Sequence, residues 1–176
     1  MRSNVLPAAV AMLACALAGP LTGAQAAEGN RANSVDTNGA QAPWGSAKAP
    51  DIHYTPHHVL YDVTSGDEAV VSNILDRASY LSKLYNADPF DSSIVIMIHG
   101  DAIKFFAIKN YRHYRRLMQR AHALTIGTTI EFRMCKAAAA RQGLHPKDIH
   151  GFVAMVPMAD AEITRLELEE GYAYMH

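Results

Sequence analysis

The sequence predicts an α/β fold, a three-layer α/β/α sandwich around a mainly parallel sheet of four to five strands. Two observations carry this. Short β-branched runs alternate with longer helical stretches from His57 onward. The run Ile94 to Ile98 is apolar without alternation, as a strand covered on both faces requires.

The elements follow in order. "HHVLYDVT", His57 to Thr64, is the first strand, and Asp67 after the Ser65-Gly66 turn is placed to cap the next helix. In "EAVVSNILDRASYLSKLY" the apolar residues Val70, Ile74, Leu75, Ala78, Leu81 and Leu84 fall at helical spacing and predict one stripe against the sheet. "NADP" ends this helix, and "SSIVIMIHG", Ser92 to Gly100, is the second strand. A short helix through Phe105 and Phe106 precedes a longer one, "NYRHYRRLMQRAHALT". Its five basic or imidazole side chains from Arg112 to Arg120 read chiefly as a solvated face, with anion attraction as the alternative.

"GTTIEFRMC", Gly127 to Cys135, is the third strand, with an alternation that predicts one partly exposed face. "KAAAARQGL" is a short helix stopped by Gly143. Phe152 to Pro157 is the fourth strand, and "ADAEITRLELEEGYAYMH" a final amphipathic helix with Ile163, Leu166 and Leu168 inward and a stop at Gly171. Tyr172 and Tyr174 then fall after the helix, to pack on a neighbouring subunit or close over the site.

The N-terminal region reads differently. Residues 1–26 have a basic start at Arg2, an apolar run from Val5 to Ala18 and a small-x-small site at Ala24-Gln25-Ala26, the pattern of a secretory signal. The run is too short for a comfortable membrane span. Met12-Leu13-Ala14-Cys15 loosely resembles a lipoprotein box, but the sequence stays apolar beyond it and offers a better cleavage site downstream. Residues 27–52, rich in Ala, Gly, Asn, Ser and Pro, read as a flexible leader, and 53–176 as the folded domain, expected in the periplasm or secreted. Loss of Arg2 with the signal leaves 15 basic residues against 17 acidic ones, which is no nucleic-acid footprint. No later apolar segment predicts membrane insertion.

After cleavage one cysteine remains, Cys135, which cannot pair within its own chain and is therefore buried, reactive or shared between subunits. It closes a strand and opens a helix, where unpaired amides favour thiolate, with Lys136 and Arg133 adding to the bias. Free cysteine is also a common core residue. In parallel sheets, sites form at the carboxyl ends of strands, where His99-Gly100-Asp101, Cys135 and Pro157-Met158 fall.

Across His57 to Met175 the sequence resembles the DsrE/DsrF-like sulfur-relay family. The matching stretches are "HHVLYDVTSGD", "IVIMIHGDAIKFF", "GTTIEFRMCKAAAARQGL" and "GFVAMVPMADAEITRLELEEGYAYM". The last two are the most specific: a Cys ending the third strand, then Val-Pro before a helix finishing in Gly-Tyr-Ala-Tyr. The resemblance implies a small α/β sandwich assembled as a homo-oligomer, a trimer or hexamer. It also implies that Cys135 accepts sulfane sulfur as a persulfide from a donor and passes it to an acceptor thiol. Supporting positions would be His99, Gly100, Asp101, Lys136, Pro157 and Met158. The export signal departs from the cytoplasmic setting usual for relay members.

Other constellations are weaker. His99 and Asp101 could orient each other or act as acid and base beside Cys135 if their strands adjoin. The simpler expectation is that Gly100 permits a tight turn and Asp101 caps the helix after it. Nine histidines raise metal binding, but His57 and His58 are adjacent and point apart, and no Cys-x-x-Cys occurs. Met134, Cys135 and Met158 would be the soft ligands if the third and fourth strands adjoin. No Gly-rich phosphate loop, Ser nucleophile elbow or dinucleotide fingerprint is present, so no cofactor is expected. The rivals to a sulfur carrier are thus a non-catalytic interaction module with a structural cysteine and a soft-metal binder.

Overall fold

All strands of the sheet run parallel, in the order β4-β3-β2-β1-β5. They are β1 His58–Val63, β2 Ser93–Ile98, β3 Ile130–Cys135, β4 Val153–Val156 and β5 Ala173–Met175. The helices between them are α1 Glu68–Leu84, α2 Ile103–Phe106, α3 Arg115–Leu124, α4 Lys136–Arg141 and α5 Ala159–Glu169. This computed structural model describes residues 44–176, and Pro50–His176 make up one unit. The expected signal and the first part of the leader lie outside the described residues.

The steps from β1 to β4 move one way across the sheet, and the step from β4 to β5 returns to the far side of β1. Right-handed crossovers therefore put α1 to α4 on one face and α5 on the other, giving three layers. Side-chain contacts agree. Arg77 of α1 lies 5.1 Å over the Tyr61 ring, and Arg133, whose side chain leaves the opposite face, reaches Glu162 of α5 at 2.5 Å.

The core sits on both sides of β2, whose residues Ile94 to Ile98 are all fully buried, as their unbroken apolar run predicts. Asp67 caps α1 through a 2.8 Å bond from the Ala69 amide. Its buried stripe is Val71, Ile74, Leu75, Ala78 and Ser82. Val70 and Leu84, expected inward, are exposed: the helix is turned by about one residue from the stripe drawn through the largest side chains. The chain leaves α1 through Asn86 and Ala87, both at positive φ, where Asn is tolerated and a longer helix is not.

Two corrections concern the C-terminus. Leu168 is 81% exposed rather than inward, because it lies two residues, about 200° of helix, from buried Leu166. The final helix ends at Glu169, and after Gly171 at φ +72 the chain adds β5 along β1, pairing Val59 with Ala173 and Tyr61 with Met175. Tyr172 is accordingly buried, its ring 5.0 Å from that of His58, and is no loose lid.

Candidate functional site

The carboxyl ends of β1, β2 and β3 bring the predicted residues into a row. Ile98 lies opposite Met134 in the β2–β3 register, so the next step of both strands sets His99 opposite Cys135. His99 keeps extended backbone, φ −152° and ψ −173°, and its amide bonds Val63 O at 3.1 Å, which extends the hydrogen bonding to β1 one residue past the strand end. Parallel strands stand about 4.8 Å apart, so the extended register puts His99 at the backbone position beside Cys135, on the α5 face, while the hydrogen bond at Sγ itself comes from Ala138. On the other side Cys135 pairs with Val156 of β4.

Cys135 is 5% exposed. It is the cap of α4: Sγ accepts the Ala138 amide at 3.3 Å, while the Ala137 amide goes to Pro157 O at 3.2 Å. The loops after β3 and β4 are thereby tied together beside the sulfur. Lys136, Pro157 and Met158 are exposed around it, Met158 by 49%. Gly100, at φ +58, makes the tight turn expected of it, and a Cβ there would stand 3.2 Å from Thr64 O.

His99 is oriented, but not by Asp101. Its Nε2 lies 2.6 Å from Asp62 Oδ1, and Asp62 Oδ2 accepts the Tyr174 hydroxyl at 2.6 Å. With a carboxylate accepting, Nε2 is the donor, which in the neutral ring leaves Nδ1 as the acceptor. Asp101 is exposed and makes no side-chain cap to the helix after it, which has none. The reason is local: the chain turns through a 3₁₀ turn at Gly100–Ala102 with αR backbone running into α2, so Asp101 never occupies a cap position. Asp62 is not among the residues that the sequence singles out, and Tyr174, expected to pack on a neighbouring subunit or close over the site, bonds Asp62 within the chain instead. A signal for Asp62 did exist, a carboxylate placed one residue from the end of the strand "HVLYDV", after the apolar run Val59-Leu60-Tyr61.

The soft-ligand trio does not assemble. Met134 and Cys135 are consecutive strand residues and point to opposite faces, with Met134 buried on the side away from His99. Among the described residues, no three His, Cys, Asp or Glu side chains are grouped to hold a metal ion. His53 and His57 stand four apart but outside any helix, so that spacing does not put them on one face. No described helix is long and apolar enough to cross a membrane.

A separate cavity of about 710 Å³ opens between the α2–α3 connection and the segment entering β4, lined in part by Arg112, His122, His150 and Phe152. None of the residues in the Cys135 row lines it.

No protein-family profile and no curated protein matches the chain. Among solved structures it is similar to the protein of unknown function MTH1491 from Methanobacterium thermoautotrophicum, with TM-score 0.52 and 18% sequence identity over 68% of this chain and 97% of that one. At that identity the likeness establishes the three-layer fold.

Proposed function

We propose that this protein is an exported carrier of sulfane sulfur that holds it as a persulfide on Cys135. The observation that supports the reading is the Asp62–His99 hydrogen bond at the end of β1 and β2, one strand over from the buried thiol of Cys135 at the end of β3. His99 Nδ1 takes the thiol proton. The thiolate then attacks a polysulfide, forming a new Sγ–S bond as the donor's S–S bond breaks, and the shortened polysulfide leaves with the electron pair. An acceptor thiolate later attacks the outer sulfur and releases Cys135 as thiolate. The trimer or hexamer that the resemblance implies belongs to the same proposal. Exposed Leu168 on α5 and exposed Phe90 are apolar surface that such an assembly would cover.

Intact-mass spectrometry before and after polysulfide treatment tests the reading, with Cys135→Ser alongside. The expected result is a gain of about 32 Da per sulfur that reductant removes and the variant lacks. Loading of the variant to the same extent as wild type ends the proposal. The burial of Cys135 favours a second reading, a structural cysteine in an interaction module. It predicts that native protein resists both loading and alkylation until it is unfolded.

A further inference from the structure

The cavity beside α3 has a different chemistry from the cysteine row, and the sulfur-carrier reading leaves it unused. Its floor is aromatic. The His150 ring stacks on Phe152 at 5.8 Å and 13°, Tyr111 meets His150 edge-on at 5.5 Å, and His122 tilts over Phe152 at 5.4 Å. Ile108 and Met118 complete an apolar wall. Such a floor takes a flat ring by offset or edge contacts.

The charge at this cavity has one sign. Lys109 and Arg112 line it, no carboxylate does, and neither cation enters an ion pair among the described residues. This is unlike the neighbouring Arg120, whose guanidinium is taken by Asp76 of α1. Of the basic run from Arg112 to Arg120, Arg120 is thus paired with α1 while Arg112, in the turn before α3, lines the cavity. The wall itself has an unmet group: His150 Nε2 is buried with no hydrogen-bond partner, a cost that a polar atom drawn against the ring offsets. Burial, and then the neighbouring His122, hold the His150 imidazole below its ordinary pKa, and Lys109 and Arg112 supply fixed positive charge at the cavity. The volume, about 710 Å³, is that of a small-molecule site.

We propose that this cavity binds a small planar aromatic carboxylate, with the ring against Phe152 and His150 and the carboxylate on Arg112 and Lys109. Arg112 offers the planar fork that a carboxylate accepts in two parallel bonds.

Isothermal titration calorimetry on the full chain tests this with 2-naphthoate as the probe and 2-naphthamide as its uncharged counterpart. Naphthoate is expected to bind saturably at one site per chain, the amide at least about tenfold more weakly. Lys109→Gln/Arg112→Gln should bring naphthoate down to the affinity of the amide. Both replaced side chains are exposed, so the variant keeps the fold, which an unchanged melting temperature verifies. Cys135→Ser should bind naphthoate as wild type does, which separates this site from the sulfur chemistry. Absence of saturable binding, equal affinity for acid and amide, or undiminished binding by the double variant overturns the proposal. A second copy of the chain seated over the cavity gives the first of these results.

Discussion

Asp62 holds two partners at once, His99 on one oxygen and the Tyr174 hydroxyl on the other, each at 2.6 Å. The phenol records this: its hydrogen bond to Asp62, then burial, then the carboxylate's charge push the Tyr174 pKa up to about 12. Asp62→Asn should bring it back toward about 10, the ordinary tyrosine value, read by NMR titration of ring-labelled tyrosines. The sign for stability follows. A pKa raised in the folded state contributes stability that is complete below about pH 10 and is lost as pH rises toward 12. Tyr174→Phe should flatten that part of the pH–stability curve. Tyr61, raised mainly by burial, leaves its own slope in both proteins, so the difference between them isolates Tyr174. On the chemistry, Asp62→Asn should slow Cys135 loading by about tenfold to a hundredfold, because the imidazole loses the acceptor that fixes its tautomer.

At the scale of elements, Arg133 joins a strand to a helix. It bonds Glu131 at 2.9 Å and Glu162 of α5 at 2.5 Å, and Glu162 also accepts from Arg165 at 2.8 Å. Bonds from Arg165 first, then Arg133, hold the Glu162 carboxyl below its usual range against the opposing effect of burial. Arg133→Met should cost about 1–3 kcal/mol by urea denaturation, since it strips a half-buried carboxylate of one partner. Arg133→Met/Glu162→Leu should recover most of that loss. With a depressed folded pKa, Glu162 contributes stability above the ordinary carboxylate pKa, and the gap between wild type and Arg133→Met should close as pH falls through the folded value. The elements that sequence alone made legible are those with a period long enough to count. The unbroken run of β2 and the cap at Asp67 are of this kind, as is Cys135 at the end of β3. β5 was not legible, because Ala173–Met175 is three residues long and alternation over three residues is no signal. Nor was the Asp62 cluster, whose partners stand 37 and 112 residues away. Only the strand order puts them together.

At the scale of the whole molecule, strand order also selects where a crevice opens. The connection leaving β3 passes through α4 on one face, and the one leaving β4 passes through α5 on the other. Neighbouring strands whose connections part to opposite faces leave a gap outside their carboxyl ends, and ligands in open α/β sheets bind there. In this chain that rule points to the ends of β3 and β4, at Cys135 and Pro157-Met158, where the Ala137–Pro157 backbone bond ties the two loops together. Tyr174 and Asp62 lie away from it, toward the β1–β5 side, so His99 is the link between the carboxylate and the crevice. On the sulfur-carrier proposal Met158, half exposed beside Cys135, is placed to affect entry of the donor rather than stability. Met158→Glu should leave the melting temperature unchanged and slow loading by anionic polysulfide by about tenfold, through repulsion at the mouth. An uncharged organic trisulfide should load the variant at close to the wild-type rate. Equal slowing of both donors would mean that Met158 shapes the path sterically, and no slowing of either would mean that sulfur reaches Cys135 by another side of the sheet.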